Sequence, residues 1–371
     1  MNFVKQAGLS LSALIFLLMP PAAFALDLPQ LPKEEYARGE IVQVLEDTVL
    51  DFMGEKNTYQ KVKVKLESGI EIEVEHGGTI KISSDQKVNA GDQVVLVKFF
   101  GFEGNSTWQI IDRYRLNTIQ LFIGAFFVLV IIMSRKKGIG AILGLIISLL
   151  IIIKYIVPQI NGGSDPLVVS IIGGIMIMFT TIFLAHGFNK QTVIALVSTS
   201  LTLILTGIIS IFAVNLAFLT GFGKEEVYNL QFGLGNINTK GLLLGGIMIG
   251  VLGVLDDITT AQTAAVFEIF KANPRQRLKQ LFSSAMRVGR EHIASLVNTL
   301  VLAYAGVSLP IFIFVVYNTT NQPLWVMLNS EMISEEVIRS LIGSASLILA
   351  VPITTIIAAH VAIKSIRTEL K

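Results

Sequence analysis

From residue 117 onward the sequence is dominated by long apolar runs, and these limit the possible fold more than any other feature. A helix needs about 20 apolar residues to cross the ~30 Å hydrocarbon core at 1.5 Å per residue. Inside hydrocarbon its backbone polar groups must be satisfied within the segment itself. Seven runs have the length: 117–134, 138–157, 166–185, 192–215, 241–262, 292–317 and 338–360. The composition agrees, with 52% hydrophobic and only 15% charged residues. The connections set an expected orientation. Arg135, Lys136 and Lys137 follow the first span, and Lys190 the third; Lys271, Arg275, Arg277, Lys279, Arg287 and Arg290 follow the fifth, and Lys364, Arg367 and Lys371 the seventh. The alternate connections hold only Lys224. Basic loops stay in the cytoplasm, so the expected topology has the C-terminus inside and everything before the first span outside.

The N-terminal third differs in character. Lys5, the apolar run from Leu9 to Met19 and Ala23-Phe24-Ala25 fit a signal peptide over residues 1–25, cleaved before Leu26. Residues 27–113 then hold sixteen acids against ten bases, so the rest of a chain of net charge +2 is strongly basic. Tyr59–Leu66 (YQKVKVKL) and Ile70–Glu75 (IEIEVE) alternate apolar and charged residues around Glu67-Ser68-Gly69, which predicts a hairpin with one buried face. Further strands are expected at Glu40–Leu45, Thr79–Ile82, Gln93–Phe100 and Thr107–Asp112. About six short strands in 26–115 point to a small extracytoplasmic all-β domain, a barrel or sandwich of OB-like kind. Trp108, Phe99 and Phe100 are expected in its core, and His76 has no assigned role.

The membrane part, 116–371, carries its chemistry in one stretch, GLLLGGIMIGVLGVLDDITTAQTAAVFEIFK, from Gly241 to Lys271. At helical spacing Gly246, Gly250, Gly253, Asp257, Ala261, Ala264 and Glu268 share a face, with Asp256, Thr260 and Thr263 beside it. Gly246, Gly250 and Gly253 are expected to let another helix approach. Ionisable residues at membrane depth face a cavity or a partner. Asp256, Asp257, Thr260, Glu268 and, on the sixth span, Asn298 are therefore the candidate substrate- or ion-binding residues, in a polar cavity between spans four to seven. Two other readings compete: an interfacial acidic cap on an amphipathic extension, and a helix- or partner-docking role. Serines and threonines stud span four (Ser198, Thr199, Thr202, Thr206, Ser210) and span seven (Ser344, Ser346, Thr354, Thr355).

Cysteine is absent, which excludes disulfides, thiolate metal sites and cysteine nucleophiles. His186, His292 and His360 fall at span ends and are read as interfacial rather than metal-binding. No protease, hydrolase, nucleotide or dinucleotide motif stands in a convincing context. The expectation is a non-enzymatic chain with no cofactor and no metal, whose partners are the lipid bilayer and a homologous membrane subunit or a second copy, not nucleic acid.

The segment Gly246–Glu268, GIMIGVLGVLDDITTAQTAAVFE, resembles the YibE/YibF family of multi-pass bacterial membrane proteins. The matching positions are Gly250, Gly253, Asp257, Ala264 and Glu268, followed by the basic loop to Gly289 and a span with Asn298. The likeness covers roughly 115–360 and implies seven or eight spans in the bacterial cell membrane. It brings no settled activity. Paired Asp256–Asp257 departs from members with a single Asp. The leading expectation is a transport-type permease; the alternative is a non-transporting scaffold or sensor that binds partners through its extracytoplasmic β domain.

Overall fold

The computed structural model describes residues 35–52, 55–77, 82–100, 106–234, 237–317 and 321–369. The expected signal peptide and residues 79–81 of the expected fourth strand lie outside these. The described chain forms two compact units, one ending at Leu129 and the other starting at Val130.

The first unit is a five-stranded closed barrel. Its strands are β1 (Glu35–Phe52), β2 (Glu55–Leu66), β3 (Glu71–Gly77), β4 (Gln93–Phe100) and β5 (Ser106–Arg113), in the order β1-β2-β3-β5-β4 with β4 returning to β1. The alternation read from the sequence sets the register. Val62 pairs with Val74 and Val64 with Ile72, while Lys61 lies opposite Glu75 and Lys63 opposite Glu73. Val62, Val64 and Val74 are fully buried, with Ile41, Val94 and Leu96 in the same core. Lys61–Glu73 (2.7 Å) and Lys63–Glu71 (2.6 Å) form ion pairs on the outside. Gly69 makes the turn between β2 and β3 at φ +85°, a conformation that favours glycine. Ile82 lies outside the strands. Trp108 packs on the core as expected, Phe99 is exposed near the end of β4, and the Phe100 side chain lies outside what the structure describes. His76 is buried and its Nε2 lies 3.0 Å from the Gln86 carbonyl.

Among the described residues, six helices are long and apolar enough to cross a membrane, or seven if one bent pair counts as a single span. They are α1 (Leu116–Arg135), α2 (Lys137–Asn161), α3 (Pro166–His186), α4 (Lys190–Leu216), α6 (Thr239–Ala272) and α10 (Glu331–Lys364, continuing to Glu369). The bent pair is α7 (Leu278–Val307) and α8 (Leu309–Tyr317), which meet at 68°. Short helices α5 (Glu225–Leu234) and α9 (Leu324–Leu328) lie in the connections. Two expected boundaries shift. The sixth span was expected as one helix over 292–317, but Pro310 starts a new helix after the bend, and α7 begins at Leu278, so most of the basic connection is helical. The seventh was expected at 338; α10 begins at Glu331.

The hub is α6, which packs against α3, α4, α7 and α10. Of its most apolar window 56% is buried, whereas none of α1's is. Thr–Thr and Thr–Ser bonds link the interior: Thr199 to Thr259 at 2.6 Å (α4–α6) and Thr206 to Ser346 at 2.8 Å (α4–α10). The polar residues of spans four and seven thus face each other across the core, where hydroxyl pairs hold helices that have no hydrophobic drive to associate. In α2 the residues Ile152–Ile156 form a π-helical turn, closed by the Val157 N–H donating to the Ile152 carbonyl. Pro158 follows and has no N–H to offer one turn back, so the preceding turn widens. Gly173 of α3 receives the turn: a Cβ there would come 2.6 Å from Ile156.

Candidate functional site

Two cavities flank α6 in the membrane unit. The first, about 450 Å³, lies between α2, α3 and α6. Its polar lining is Asp256, Asp257, Thr181, Ser148 and His186, with Gly253 and Gly144 on the wall. Asp256 is half-buried, its Oδ2 accepts from the Thr181 hydroxyl at 3.4 Å, and its Oδ1 is buried with no hydrogen-bond partner among the described residues. Asp257 is exposed. The cavity was expected between spans four to seven; the carboxylates instead meet spans two and three. The physical reason is the position of Asp256 one residue off the glycine face, which turns it toward Thr181 rather than toward α7.

The other sequence candidates separate. Glu268 is exposed three turns further along α6 and pairs with Lys271 at 2.6 Å, so it does not line the cavity. Asn298 and its neighbour Thr299 are exposed on α7 and do not line it either. Thr260 is half-buried, its hydroxyl buried without a partner. The three packing glycines also differ. A Cβ at Gly250 would meet the Tyr304 hydroxyl at 3.2 Å, and one at Gly246 the Arg339 guanidinium at 3.5 Å, whereas Gly253 has nothing within 4 Å. Gly253 therefore opens cavity space instead of bringing a helix close.

A second cavity, about 280 Å³, lies at the opposite end of α6. Ser170, Lys224, Glu335 and Arg339 are its polar lining, with glycines 221, 245 and 246. Sequence reasoning did not group these four side chains, because they come from a span, a connection and a span end that only the fold gathers. Glu335 is buried, at 3% exposure, and accepts from the Gly223 N–H at 2.9 Å. One turn before it, Glu331 accepts from Thr220 N–H (2.5 Å), Thr220 Oγ1 (2.7 Å) and Gly221 N–H (2.9 Å). Lys224 pairs with Glu336 at 3.1 Å. Successive carboxylates on the first turns of α10 thus strap the 219–224 loop across this cavity.

Ile152 of the π-helical turn and Ile249 of α6 line both cavities. Two largely apolar pockets, each carrying carboxylates, are separated by an aliphatic wall. A further buried polar group, Gln262, sits in α6 one to two turns past the acidic pair, fully buried and donating to the Ala285 carbonyl (3.1 Å) and Thr355 Oγ1 (2.8 Å). Gln262 lies off the glycine–acid face of α6, on the side covered by α7 and α10. Gly289 makes room for it, since a Cβ there would meet the Gln262 amide at 3.1–3.2 Å.

The sequence profile described as "YibE/F-like protein" matches residues 122–364, from within the first span to Lys364 of α10. The chain belongs to the YibE/F-like family. No curated protein and no solved structure matches it. The YibE/F assignment and the spanning helices together make this a multi-pass membrane protein. Within it, the YibE/F match covers both cavities and the Ile152–Ile249 wall.

Proposed function

We propose that this YibE/F-like chain is a permease, with its acidic cavity facing the cytoplasm and the 219–224 strap facing outward. The observation that carries the reading is the pair of charged cavities meeting at a wall of two isoleucines, beside a π-helical turn. Alternating access needs a dry constriction between two polar half-paths and a local irregularity in the helix that borders it. Asp256 and Asp257 supply the charge that a cation or coupling proton would meet; Glu268 and Asn298 are not part of this path. The orientation follows the basic connections, which lie at the His186 end.

The test is flux in proteoliposomes loaded with a pH-sensitive dye, under an imposed membrane potential and with proton, sodium or potassium gradients. The reading expects potential-driven proton or cation movement that Asp256→Asn or Asp257→Asn suppresses and Glu268→Gln leaves intact. Flux no greater than in protein-free vesicles under every gradient, or flux indifferent to both aspartate changes, would overturn it.

One observation favours a second reading, a scaffold or sensor. The barrel carries a cleft of about 620 Å³ beside β3 and β5, lined by Lys61, Glu75, His76 and Trp108 among others. β3 and β5 join through a single pairing, Glu75 with Gln109, which leaves that seam open. Capture of a defined partner that depends on Trp108 and is insensitive to Asp256→Asn would favour this role.

A further inference from the structure

The 280 Å³ cavity has more polar equipment than a gate requires. Ser170 is 1% exposed, and its hydroxyl has no hydrogen-bond partner among the described residues. A Cβ at Gly245 would come 2.6 Å from that oxygen, so the glycine leaves room for the hydroxyl against α6. Arg339 lies over Gly246, and its Nε is buried, with no partner nearer than Glu336 at 3.7 Å. Glu335 is buried on the same wall. The remaining lining is mostly aliphatic, including Ile156, Ile160 and Leu243. Buried polar groups are ordinarily satisfied, and each one left over is a request for a ligand atom or water.

The wall carries both signs: Lys224 and Arg339 are cationic, Glu335 is a buried carboxylate, and Glu336 pairs with both cations. Adding a net charge to such a site, away from water, is expensive; adding a molecule with one charge of each sign is not. The guanidinium offers unfilled donors to a carboxylate, the buried carboxylate of Glu335 an acceptor to an ammonium, and Ser170 one more donor. The volume lies just below the range typical of drug-sized ligands, enough for a handful of heavy atoms with a short apolar body.

We propose that this cavity binds a small zwitterion of the amino-acid type, its carboxylate on Arg339 and Ser170, its ammonium on Glu335 and its aliphatic body against Ile156 and Leu243. The inference rests on the permease reading and names the solute class for it. The 219–224 strap, latched by Glu331, then closes over the solute, and Ile152 and Ile249 separate it from the acidic cavity.

The test uses three probes with one branched apolar body: L-valine, its deaminated analogue isovalerate and its decarboxylated analogue isobutylamine. Binding to the purified full chain in detergent is measured by calorimetry. L-valine is expected to bind saturably, with isovalerate and isobutylamine each weaker by about tenfold or more, as the loss of a charged hydrogen bond implies. Arg339→Gln should weaken L-valine and leave isobutylamine unchanged; Glu335→Gln should weaken L-valine and leave isovalerate unchanged. Ser170→Ala, a change too small to unfold the bundle, should weaken L-valine roughly three- to tenfold. No saturable L-valine binding, equal binding of L-valine and isovalerate, or indifference to Ser170→Ala and Arg339→Gln together would overturn the proposal. If these fail while Asp256-dependent ion flux persists, the solute class is wrong and the permease reading stands; if both fail, both fall.

Discussion

Removing the Glu331 carboxylate should release the 219–224 strap while leaving the bundle folded. The carboxylate receives two backbone N–H groups and one hydroxyl. Hydrogen bonds to charged groups contribute about 1.5–3 kcal/mol each when sheltered. Thr220 is exposed, which reduces its share, whereas Gly221 is buried and its N–H would be left unmet, at about 1–3 kcal/mol. Placing a carboxylate at the first turn of α10 adds roughly 0.3–1 kcal/mol through the helix dipole. Glu331→Ala should therefore weaken the strap by about 3 kcal/mol. Glu331→Gln, which keeps one acceptor oxygen but no charge, should weaken it by about 1 kcal/mol. At about 1.4 kcal/mol per factor of ten, backbone amides in 219–224 should exchange with solvent roughly 100-fold faster in the alanine variant and about fivefold faster in the glutamine variant. Hydrogen exchange read by mass spectrometry on peptides covering that loop measures this, with peptides of α6 as the internal reference. Unchanged exchange in Glu331→Ala would refute the reasoning, as would equal acceleration across α6.

Other outcomes follow from the same coordinates. Gln262→Leu should lower thermal stability in detergent by only about 1 kcal/mol, since bonds between membrane helices average ~0.6 kcal/mol and Thr355 keeps its bond to the Val351 carbonyl; a loss of several kcal/mol would give Gln262 a larger part. Thr199→Val and Thr259→Val should show a coupling near 0.6 kcal/mol in a double-mutant cycle, and strict additivity would deny their contact. Gly245→Ala should destabilise by about 1–2 kcal/mol through overpacking on Ser170, with part of the loss recovered by adding Ser170→Ala. In the barrel, the ammonium groups of Lys63 and Lys61 hold the Glu71 and Glu73 carboxyls below their ordinary value of 4.5. A depressed carboxyl contributes stability above its unfolded-state value and loses it as pH falls through the folded value, so pepsin should cut 55–77 increasingly as pH drops from 4.5 downward, and the Lys61→Gln/Lys63→Gln pair should reduce that dependence.

The parts of this fold legible in the sequence were those written in a short period. Strict alternation at 59–75 set the β2–β3 register, and runs near 20 residues set most spans. The bend between α7 and α8 was harder to read, because Pro310 sits within a continuous apolar run whose hydropathy does not change. The acidic pair was legible as a site because charge at membrane depth is costly, but its neighbours were not. Helical spacing says that Asp256 and Asp257 lie on adjacent faces; only tertiary packing says that α3, with Thr181, covers one of them. The second cavity left no periodic trace at all. Ser170 comes from α3, Lys224 from a connection, and Glu335 and Arg339 from α10, and polar residues at such places look like ordinary span ends.

The central claim is that two half-paths enter from opposite sides and stop at Ile152 and Ile249. The natural chain has no cysteine, so single cysteines can be placed without removing any. Gly246 and Gly253 border the two different cavities, and a Cβ at either position meets nothing closer than 3.5 Å. With a membrane-impermeant thiol reagent added to one face of oriented vesicles at a time, Gly246→Cys should react only from the outside and Gly253→Cys only from the cytoplasmic side. Reaction of both from the same face, or of each from both faces, would contradict the account.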